Sequence, residues 1–439
     1  MLASSKPKLT SVVGTLEREH YQSWVSTTGI ARVKDIKLMQ AGWRIGSIFG
    51  IPLYIDSSWF LILLLVTLAN SQDYLKWGQI LSWSAGFAVS LLLFGSVLLH
   101  ELGHSLVAKS QGIQVNSITL FLFGGIASID RESTTPGQAF QVAIAGPLVS
   151  LGLFFVLSLM AQVLPESSLT GALAGRLAGI NLVLALFNMI PGLPLDGGQV
   201  LKAAVWKFTG SRFAGVRWAA RTGQAIGWIA ISLGLTIFLL ENQFGGLWIA
   251  FIGWFAVRNA TSYNRMTDLQ EILINVTAEK TMTREFRVVD ADLTLREFAD
   301  EYLITPDTVP VYFAASQGRY RGLVSIDSLR VIERSQWNTQ TLHDVVTPLD
   351  QLVTILEKTP LFEVINYLEI HKLSRITVLS PAGAVAGMID RGDIVRAVLT
   401  EMKVPVPEGE IKRIKSEGNY PPGLPLVSIA QTTASYSKA

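Results

Sequence analysis

Long apolar stretches separated by short polar connections fill the first part of the chain, and ordinary soluble sequence follows. Residues 57–257 carry 16 charged side chains in 201 positions, whereas the other 238 positions carry 54. A helix that crosses a bilayer needs about 20 apolar residues with few charges. The pattern therefore predicts an α-helical polytopic membrane domain, followed by a soluble module.

Six apolar segments are the predicted spans, which together predict about six transmembrane helices. They lie at 51–55 continued by 59–69, and at 87–108, 140–163, 173–190, 225–240 and 247–257, of which the last is short. Lys and Arg residues are concentrated in the connection 198–221. Since basic connections stay on the cytoplasmic side, this connection and the soluble module are predicted to be cytoplasmic.

An internal repeat of about 65 residues organises the soluble module. Residues 322–329 match residues 387–394. Each repeat reads as strand, helix, strand, strand, helix. This order predicts two α/β units, at 276–335 and 342–401.

The two ends of the chain differ in composition from the rest. Residues 1–38 are polar and irregular. Two interpretations of them stay open: a disordered extension, or a non-native segment upstream of a true start at Met39. Pro, Gly and Ser are frequent in residues 402–439, and this composition predicts a disordered tail.

The composition limits which metal ligands, nucleophiles and partners the chain can have. The chain has 439 residues, no Cys and a net charge of +2. The absence of Cys excludes a disulfide framework, a thiolate metal site and a cysteine nucleophile. The small net charge gives no electrostatic reason to expect a nucleic acid partner. Any bound metal must therefore be held by His and carboxylate side chains.

An H-E-x-x-H motif lies inside the second predicted span, formed by His100, Glu101 and His104. Two His residues at positions i and i+4 share one face of a helix, so both imidazoles can reach one Zn²⁺. Glu101 lies beside them, where its carboxylate can take a proton from a water molecule. Because ionisable residues in an apolar span are costly and usually functional, the motif predicts a zinc site.

A catalytic zinc needs a third protein ligand and an open position. Asp196 is the best remaining candidate, because the predicted topology puts it at the cytoplasmic end of the fourth span. His100 and His104 are predicted at the cytoplasmic end of the second span, and the two placements are independent. Asp196 is therefore expected to share their site. The alternative is a turn residue before two glycines.

These motifs give the predicted membrane domain, residues 39–260, a resemblance to a known family that covers about residues 46–260. The segments H-E-L-G-H in one span and N-x-x-P-x-x-P-L-D-G-G after another resemble the site-2 protease family of intramembrane zinc metalloproteases, peptidase family M50. Glycine-containing segments at 50–53, 123–126 and 145–148 extend the resemblance.

The resemblance implies a ligand set and a catalytic residue. His100, His104 and Asp196 would bind one Zn²⁺ per chain, and Glu101 would act as general base and then as general acid. Asn188 would orient the substrate or stabilise the oxyanion, with a helix-packing Asn as the alternative.

The resemblance also implies how a substrate is held. Gly124 and Gly125 fit a re-entrant loop whose backbone approaches an extended substrate, with a plain turn as the alternative. The implied substrate is a membrane-anchored regulatory protein, of the anti-sigma factor or membrane-tethered transcription factor type. The implied process is regulated intramembrane proteolysis.

The soluble repeats resemble a tandem pair of cystathionine-beta-synthase (CBS) domains. Such pairs often bind adenine nucleotides through a Ser or Thr and an Asp three residues later. The first repeat keeps Ser325 but has Ser328 in the Asp position, and the second keeps Asp393 but has Asp390 in the Ser or Thr position. A nucleotide sensor and a degenerate, structural or homodimer-forming pair therefore both stay open.

A membrane transporter or channel regulated by CBS domains is the alternative function, since some ion transporters carry the same module. This alternative predicts inverted repeats and helices broken near the midplane of the bilayer. The sequence has neither feature, and the alternative leaves the H-E-x-x-H motif unexplained.

Overall fold

The computed structural model describes residues 42–122, 124–165, 168–303 and 311–437. The predictions for residues 1–38 and Met39 lie outside the described residues. The chain divides into two compact units, with the boundary between Thr267 and Asp268. Each unit is described by itself.

Seven helices make up most of the first unit. Their bounds are Ser58–Ser71 (α1), Gln79–Ser110 (α2), Pro136–Val163 (α3), Leu169–Asn188 (α4), Asp196–Thr209 (α5), Arg212–Glu241 (α6) and Gly245–Asn275 (α7), the last of which runs past the boundary between the units. Side-chain oxygens of Thr135, Ser168 and Ser211 accept hydrogen bonds from the first turns of α3, α4 and α6, which explains where these helices begin.

Four of the described helices, α2, α3, α4 and α6, are long and apolar enough to cross a membrane. Their outer faces expose large apolar side chains, among them Phe155, Leu159 and Leu240. Side chains of this kind are stable against lipid and costly in water. The first and sixth predicted spans are not among these four helices. Helix α1 has only 14 residues, and α7 extends well into charged sequence. The predicted count of about six spans therefore stays a prediction.

A four-stranded sheet lies in the first unit, formed by Trp43–Ile48 (β1), Ile51–Ile55 (β2), Val115–Phe121 (β3) and Gly124–Ile129 (β4). The strand order is β1-β2-β3-β4, with β2 and β3 parallel and the other pairs antiparallel. Ile51 and Leu53 of β2 pack with Ile118 of β3 against Leu102 and Ala108 of α2. The sheet is therefore built onto the helix that carries the H-E-x-x-H motif.

The prediction that 51–55 extends the first span was wrong. These residues form β2, with Ile51, Leu53 and Ile55 buried and the residues between them partly exposed. This alternation has the period of two that is typical of a strand with one covered face. Pro52 lies among them and would interrupt a helix.

The second unit contains the two repeats in the predicted element order. The first repeat is Phe286–Asp290 (β5), Leu295–Phe298 (α9), Val311–Ser316 (β6), Arg319–Val324 (β7) and Ile326–Val331 (α10), preceded by Ala278–Thr281 (α8) and followed by Val346–Pro348 (β8). The second repeat is Thr354–Leu356 (β9), Leu361–Ile370 (α11), Arg375–Leu379 (β10), Val385–Asp390 (β11) and Arg391–Glu401 (α12). The sheets run β5-β6-β7-β8 and β11-β10-β9.

The prediction of a disordered tail was wrong for the described part of 402–439. Two further helices, Glu408–Glu417 (α13) and Leu426–Ser437 (α14), pack on α12 and α11 respectively. Ile411, Ile414 and Ile429 are almost fully buried. Burying one such side chain contributes about 1.5–3 kcal/mol, so a few apolar residues outweigh a composition that is polar on average.

Candidate metal centre

Helix α2 places the H-E-x-x-H motif next to α3 and β4. His100 and His104 lie one turn apart on the same helix face and are buried. Both imidazoles point towards the start of α5, where Asp196 is the first residue. The predicted ligands are therefore brought together from two helices that lie far apart in the sequence.

Three donor atoms converge on one point. Oδ2 of Asp196 lies 3.0 Å from Nε2 of His100 and 3.2 Å from Nε2 of His104, and the two Nε2 atoms are 3.3 Å apart. Among the described residues, this is the group of His and acidic side chains whose ligand atoms come close enough to hold a metal ion. A tetrahedral zinc with bonds of about 2.0–2.1 Å places its ligands about 3.3 Å apart, so these donors fit it.

The far side of each imidazole is held by helix α3. Nδ1 of His104 donates a hydrogen bond to the carbonyl oxygen of Val142 at 2.6 Å, and Nδ1 of His100 lies 2.9 Å from Oγ of Ser150. A carbonyl oxygen only accepts hydrogen bonds, so Nδ1 of His104 carries the hydrogen. In the neutral ring, Nε2 of His104 then keeps a lone pair for a metal ion.

Gly146 of α3 leaves the space that the two imidazoles occupy. A Cβ atom at this position would lie 2.6 Å from Nε2 of His100 and would overlap with Nε2 of His104. On α2, Gly103 directly precedes His104, and an added Cβ at Gly103 would lie 3.0 Å from the carbonyl oxygen of Ala145 in α3. Small residues on both helices therefore let α2 and α3 approach closely at the site.

A tight connection between α4 and α5 positions Asp196. Added Cβ atoms at Gly197 and Gly198 would overlap with backbone atoms of Met189 and of Gly192 respectively. The connection is tied to α6 by a hydrogen bond from the amide of Leu193 to the carbonyl of Ala219 at 3.1 Å. The two glycines are thus required for the close folding that presents Asp196 to the His residues.

Glu101 lies against the first residues of β4. A Cβ atom at Gly125 would lie 2.6 Å from Cγ of Glu101, so only glycine fits there without moving the Glu101 side chain. Gly124 has φ +131°, a conformation that residues with a side chain rarely adopt. The two glycines that the sequence predicts in a re-entrant loop therefore begin a strand beside Glu101.

Comparison with known proteins shows the family of the chain. The model of peptidase family M50 matches residues 88–177 and 165–230. A protein of Synechocystis named as a zinc metalloprotease is 44% identical over 362 residues, which cover 81% of this chain and 95% of that protein. The chain belongs to peptidase family M50. The resemblance to the site-2 protease family is thereby confirmed, and with it the prediction that the protein is an enzyme.

Other relatives of this M50 member cover most of its length as well. A protein of Mycobacterium tuberculosis, also named as a zinc metalloprotease, is 31% identical and covers 72% of this chain and 81% of its own length. The solved site-2 protease of Methanocaldococcus jannaschii is 29% identical over 51% of this chain and 95% of its own, with a TM-score of 0.37. Family membership and the four apolar helices make the chain an integral membrane protein.

The second repeat of this M50 member matches the CBS domain model over residues 342–400. Asp393, its predicted nucleotide-binding residue, forms a capping box with Asp390 at the start of α12. The carboxylates of Asp390 and Asp393 each accept a backbone hydrogen bond from the other residue, and Asp393 Oδ1 also lies 2.7 Å from Nζ of Lys415 in α13. In the first repeat, Oγ of Ser325 accepts a hydrogen bond from the amide of Ser328.

Asn188, which the sequence predicts to orient the substrate, makes a hydrogen bond within its own helix. Its Nδ2 donates to the carbonyl oxygen of Leu184 at 3.0 Å, one turn back in α4. This bond is the one that a helix-packing Asn makes. The predicted role in substrate orientation stays a prediction.

Sequence reasoning missed three residues that shape the site. Val142, Gly146 and Ser150 all lie on one face of α3, at spacings of four. The segment 145–148 is part of the family resemblance, but only the structure shows that it lies next to the two imidazoles. The spacing of four residues is the only sequence signal that links the three.

Proposed function

We propose that the chain is an intramembrane zinc endopeptidase that cleaves a membrane-anchored protein within or near its transmembrane segment. The observation that carries the proposal is the convergence of Nε2 of His100, Nε2 of His104 and Oδ2 of Asp196 at separations of 3.0–3.3 Å. These three residues would hold one zinc ion. Several relatives are named as zinc metalloproteases, and these names support zinc as the cofactor.

A bound zinc supplies Lewis-acid polarisation of the scissile carbonyl and lowers the pKa of a water molecule to about 7. Glu101 takes the proton of the attacking water and later gives it to the leaving amine. Gly125 leaves the room that the Glu101 side chain needs for both tasks. Val142 and Ser150 keep the two imidazoles in the orientation that leaves their Nε2 atoms for the metal.

The free edge of β4 would hold the substrate. In the described sheet, β4 pairs with β3 only and is an edge strand. A transmembrane helix hides its backbone amides, so a protease must first unwind its target. An unwound segment can then add to the edge of β4 by main-chain hydrogen bonds, with its scissile bond next to Glu101. Regulators of the anti-sigma factor or membrane-tethered transcription factor type are the proposed substrates.

The CBS module would act on the cytoplasmic side as a regulatory or dimer-forming part. A cleft of about 450 Å³ beside Asp393 is lined by Lys280, Arg284 and Arg396, whose positive charges suit a nucleotide phosphate. The caps and the Lys415 ion pair that engage Asp390 and Asp393 favour a structural role instead. Titration of the full-length protein with AMP and ATP distinguishes the two.

Zinc content and cleavage of a model transmembrane substrate in detergent test the proposed function. Wild type is compared with Glu101→Gln, which keeps the size of the side chain and removes its basicity. We expect about one zinc per chain in both proteins and cleavage only by wild type. Wild type without zinc would refute the proposed metal site. The alternative of a transporter or channel is not favoured by the comparisons, which place the chain in a peptidase family. Equal cleavage by both proteins would refute the role of Glu101.

A further inference from the structure

Three charged residues from three separate segments of the chain meet outside the metal centre. Oε2 of Glu132 lies 2.6 Å from Nζ of Lys202 and 3.0 Å from a guanidinium nitrogen of Arg212. Glu132 belongs to the connection between β4 and α3, Lys202 to α5, and Arg212 is the first residue of α6. The proposed mechanism uses none of these residues. We call them the Glu132 cluster.

Lys202 is buried, with 5% of its surface exposed. A buried ammonium group is costly unless it is paired and hydrogen-bonded. Its partners are Oε2 of Glu132 and, at 3.4 Å, Oε1 of Gln199. Burial alone raises the pKa of Glu132, but the charges of Lys202 and Arg212 outweigh burial and lower this pKa to about 2. Glu132 is therefore ionised at neutral pH and supplies the negative partner beside the Lys202 ammonium group.

The cluster joins the chain segments that flank the metal centre. Glu132 follows β4, which lies beside Glu101, and precedes α3, which holds both imidazoles. Lys202 lies on α5, whose first residue is Asp196. The ion pair between Glu132 and Lys202 therefore links the helix of the acidic ligand to the segment that supports the other two ligands.

We propose that Glu132, Lys202 and Arg212 are positioning residues that hold helix α5 in place, so that Asp196 meets His100 and His104 at metal-binding distances. The inference rests on the proposed function, because it assigns a role towards the same metal site. Displacement of a ligand by about 1 Å weakens a site of this kind strongly, and the ion pair between Glu132 and the buried Lys202 restrains α5 against such a displacement.

The test measures the Zn²⁺ affinity of the full-length protein in detergent by competition with a chelator, together with kcat and KM. Lys202→Met keeps most of the side-chain volume and removes the charge, whereas Lys202→Arg keeps the charge. We expect about tenfold weaker Zn²⁺ binding for K202M, the low end of the range for groups that orient metal ligands, and recovery in K202R.

Asp73→Asn is the matched control. It removes an ion pair of similar length, 3.2 Å between Asp73 and Arg176, whose side chains are about half exposed. We expect its Zn²⁺ affinity to equal that of wild type. If K202M does not fold, Glu132→Gln removes the same ion pair and is expected to give the same loss of affinity.

Equal Zn²⁺ affinity of the folded variant and wild type would overturn the positioning role and leave the proposed function intact. A fall in kcat at unchanged affinity would overturn it as well, because the residues would then act on the reaction rather than on the ligands. Wild type that binds no Zn²⁺ would overturn both proposals, and this outcome is recognised in the wild-type measurement alone.

Discussion

The metal centre and the Asp390–Asp393 pair are both clusters of polar side chains, but they differ in what completes them. At the pair, each carboxylate accepts a backbone hydrogen bond from the cap of α12, and Lys415 supplies a positive charge 2.7 Å from Asp393. At the metal centre, the donor atoms of His100, His104 and Asp196 face one another.

The partners of each cluster indicate what the cluster does in the protein. A cluster whose groups are paired with backbone amides and a lysine is satisfied by its own chain and stabilises it. A cluster of metal-type donors whose outer atoms are held by Val142 and Ser150 is arranged for a cation. Substitutions at the metal centre should therefore change metal binding and activity, whereas substitutions at the Asp390–Asp393 pair should change local stability.

The largest effect is expected from Gly146→Ala. The new methyl group would overlap with Nε2 of His104 and crowd Nε2 of His100, the proposed ligand atoms, so Zn²⁺ affinity should fall by about 100-fold. Gly152→Ala on the same helix is the control, since nothing lies within 4 Å of a Cβ there. Chelator competition measures both variants. Equal Zn²⁺ affinity in the two would mean that the space at Gly146 does not serve the site.

A smaller effect, confined to catalysis, is expected from Gly125→Ala. Its methyl group would lie 2.6 Å from Cγ of Glu101 and would displace the proposed base, while the three donor atoms are untouched. Cleavage should fall by about 10- to 100-fold at unchanged zinc content. Gly137→Ala, with open space at its Cβ, should cleave like wild type. Loss of zinc in G125A would contradict the separation of base from ligands.

In the CBS module, Lys415→Met should lower the local stability and leave the Zn²⁺ affinity of the protein unchanged. Without Lys415, Asp390 and Asp393 face each other with no cation, a loss of about 1 kcal/mol. Amides of residues 391–417 in the full-length protein should then exchange hydrogen about fivefold faster. Exposed Lys412→Met is the control. Unchanged exchange in K415M would show that Lys415 contributes nothing to the module.

The smallest effect concerns pH. The pKa of Glu132 falls from an ordinary 4.5 to about 2 in the folded protein, because Lys202 and Arg212 outweigh burial. The unfolded chain therefore takes up this proton first, and the stabilisation is present above pH 4.5 and lost as the pH falls towards 2. Melting temperatures in detergent should fall less steeply across this window for Glu132→Gln than for wild type. Parallel slopes would contradict the lowered pKa.

Sequence reasoning predicted what short-range patterns encode. The i, i+4 spacing of His100 and His104 defines a helix face. The predicted membrane topology placed Asp196 at the same depth in the membrane as these two residues. The element order of the repeats also followed from the sequence, because each strand and helix has its own periodicity.

Features that depend on packing between distant segments were not predicted. Residues 51–55 are apolar enough for a span, and their pairing with β1 and β3 makes them a strand. The tail folds because Ile411, Ile414 and Ile429 find partners on α12 and α11, which its polar composition conceals. Gly146 and Ser150 become site residues only when α3 lies against α2.

X-ray absorption at the zinc edge of the purified full-length protein identifies the metal ligands themselves. We expect two imidazole nitrogens and one carboxylate oxygen at about 2.0–2.2 Å, with one further light ligand, and a changed spectrum or lost zinc in Asp196→Ala. A zinc spectrum without two imidazoles, or one that Asp196→Ala leaves unchanged, would contradict the proposed ligand set.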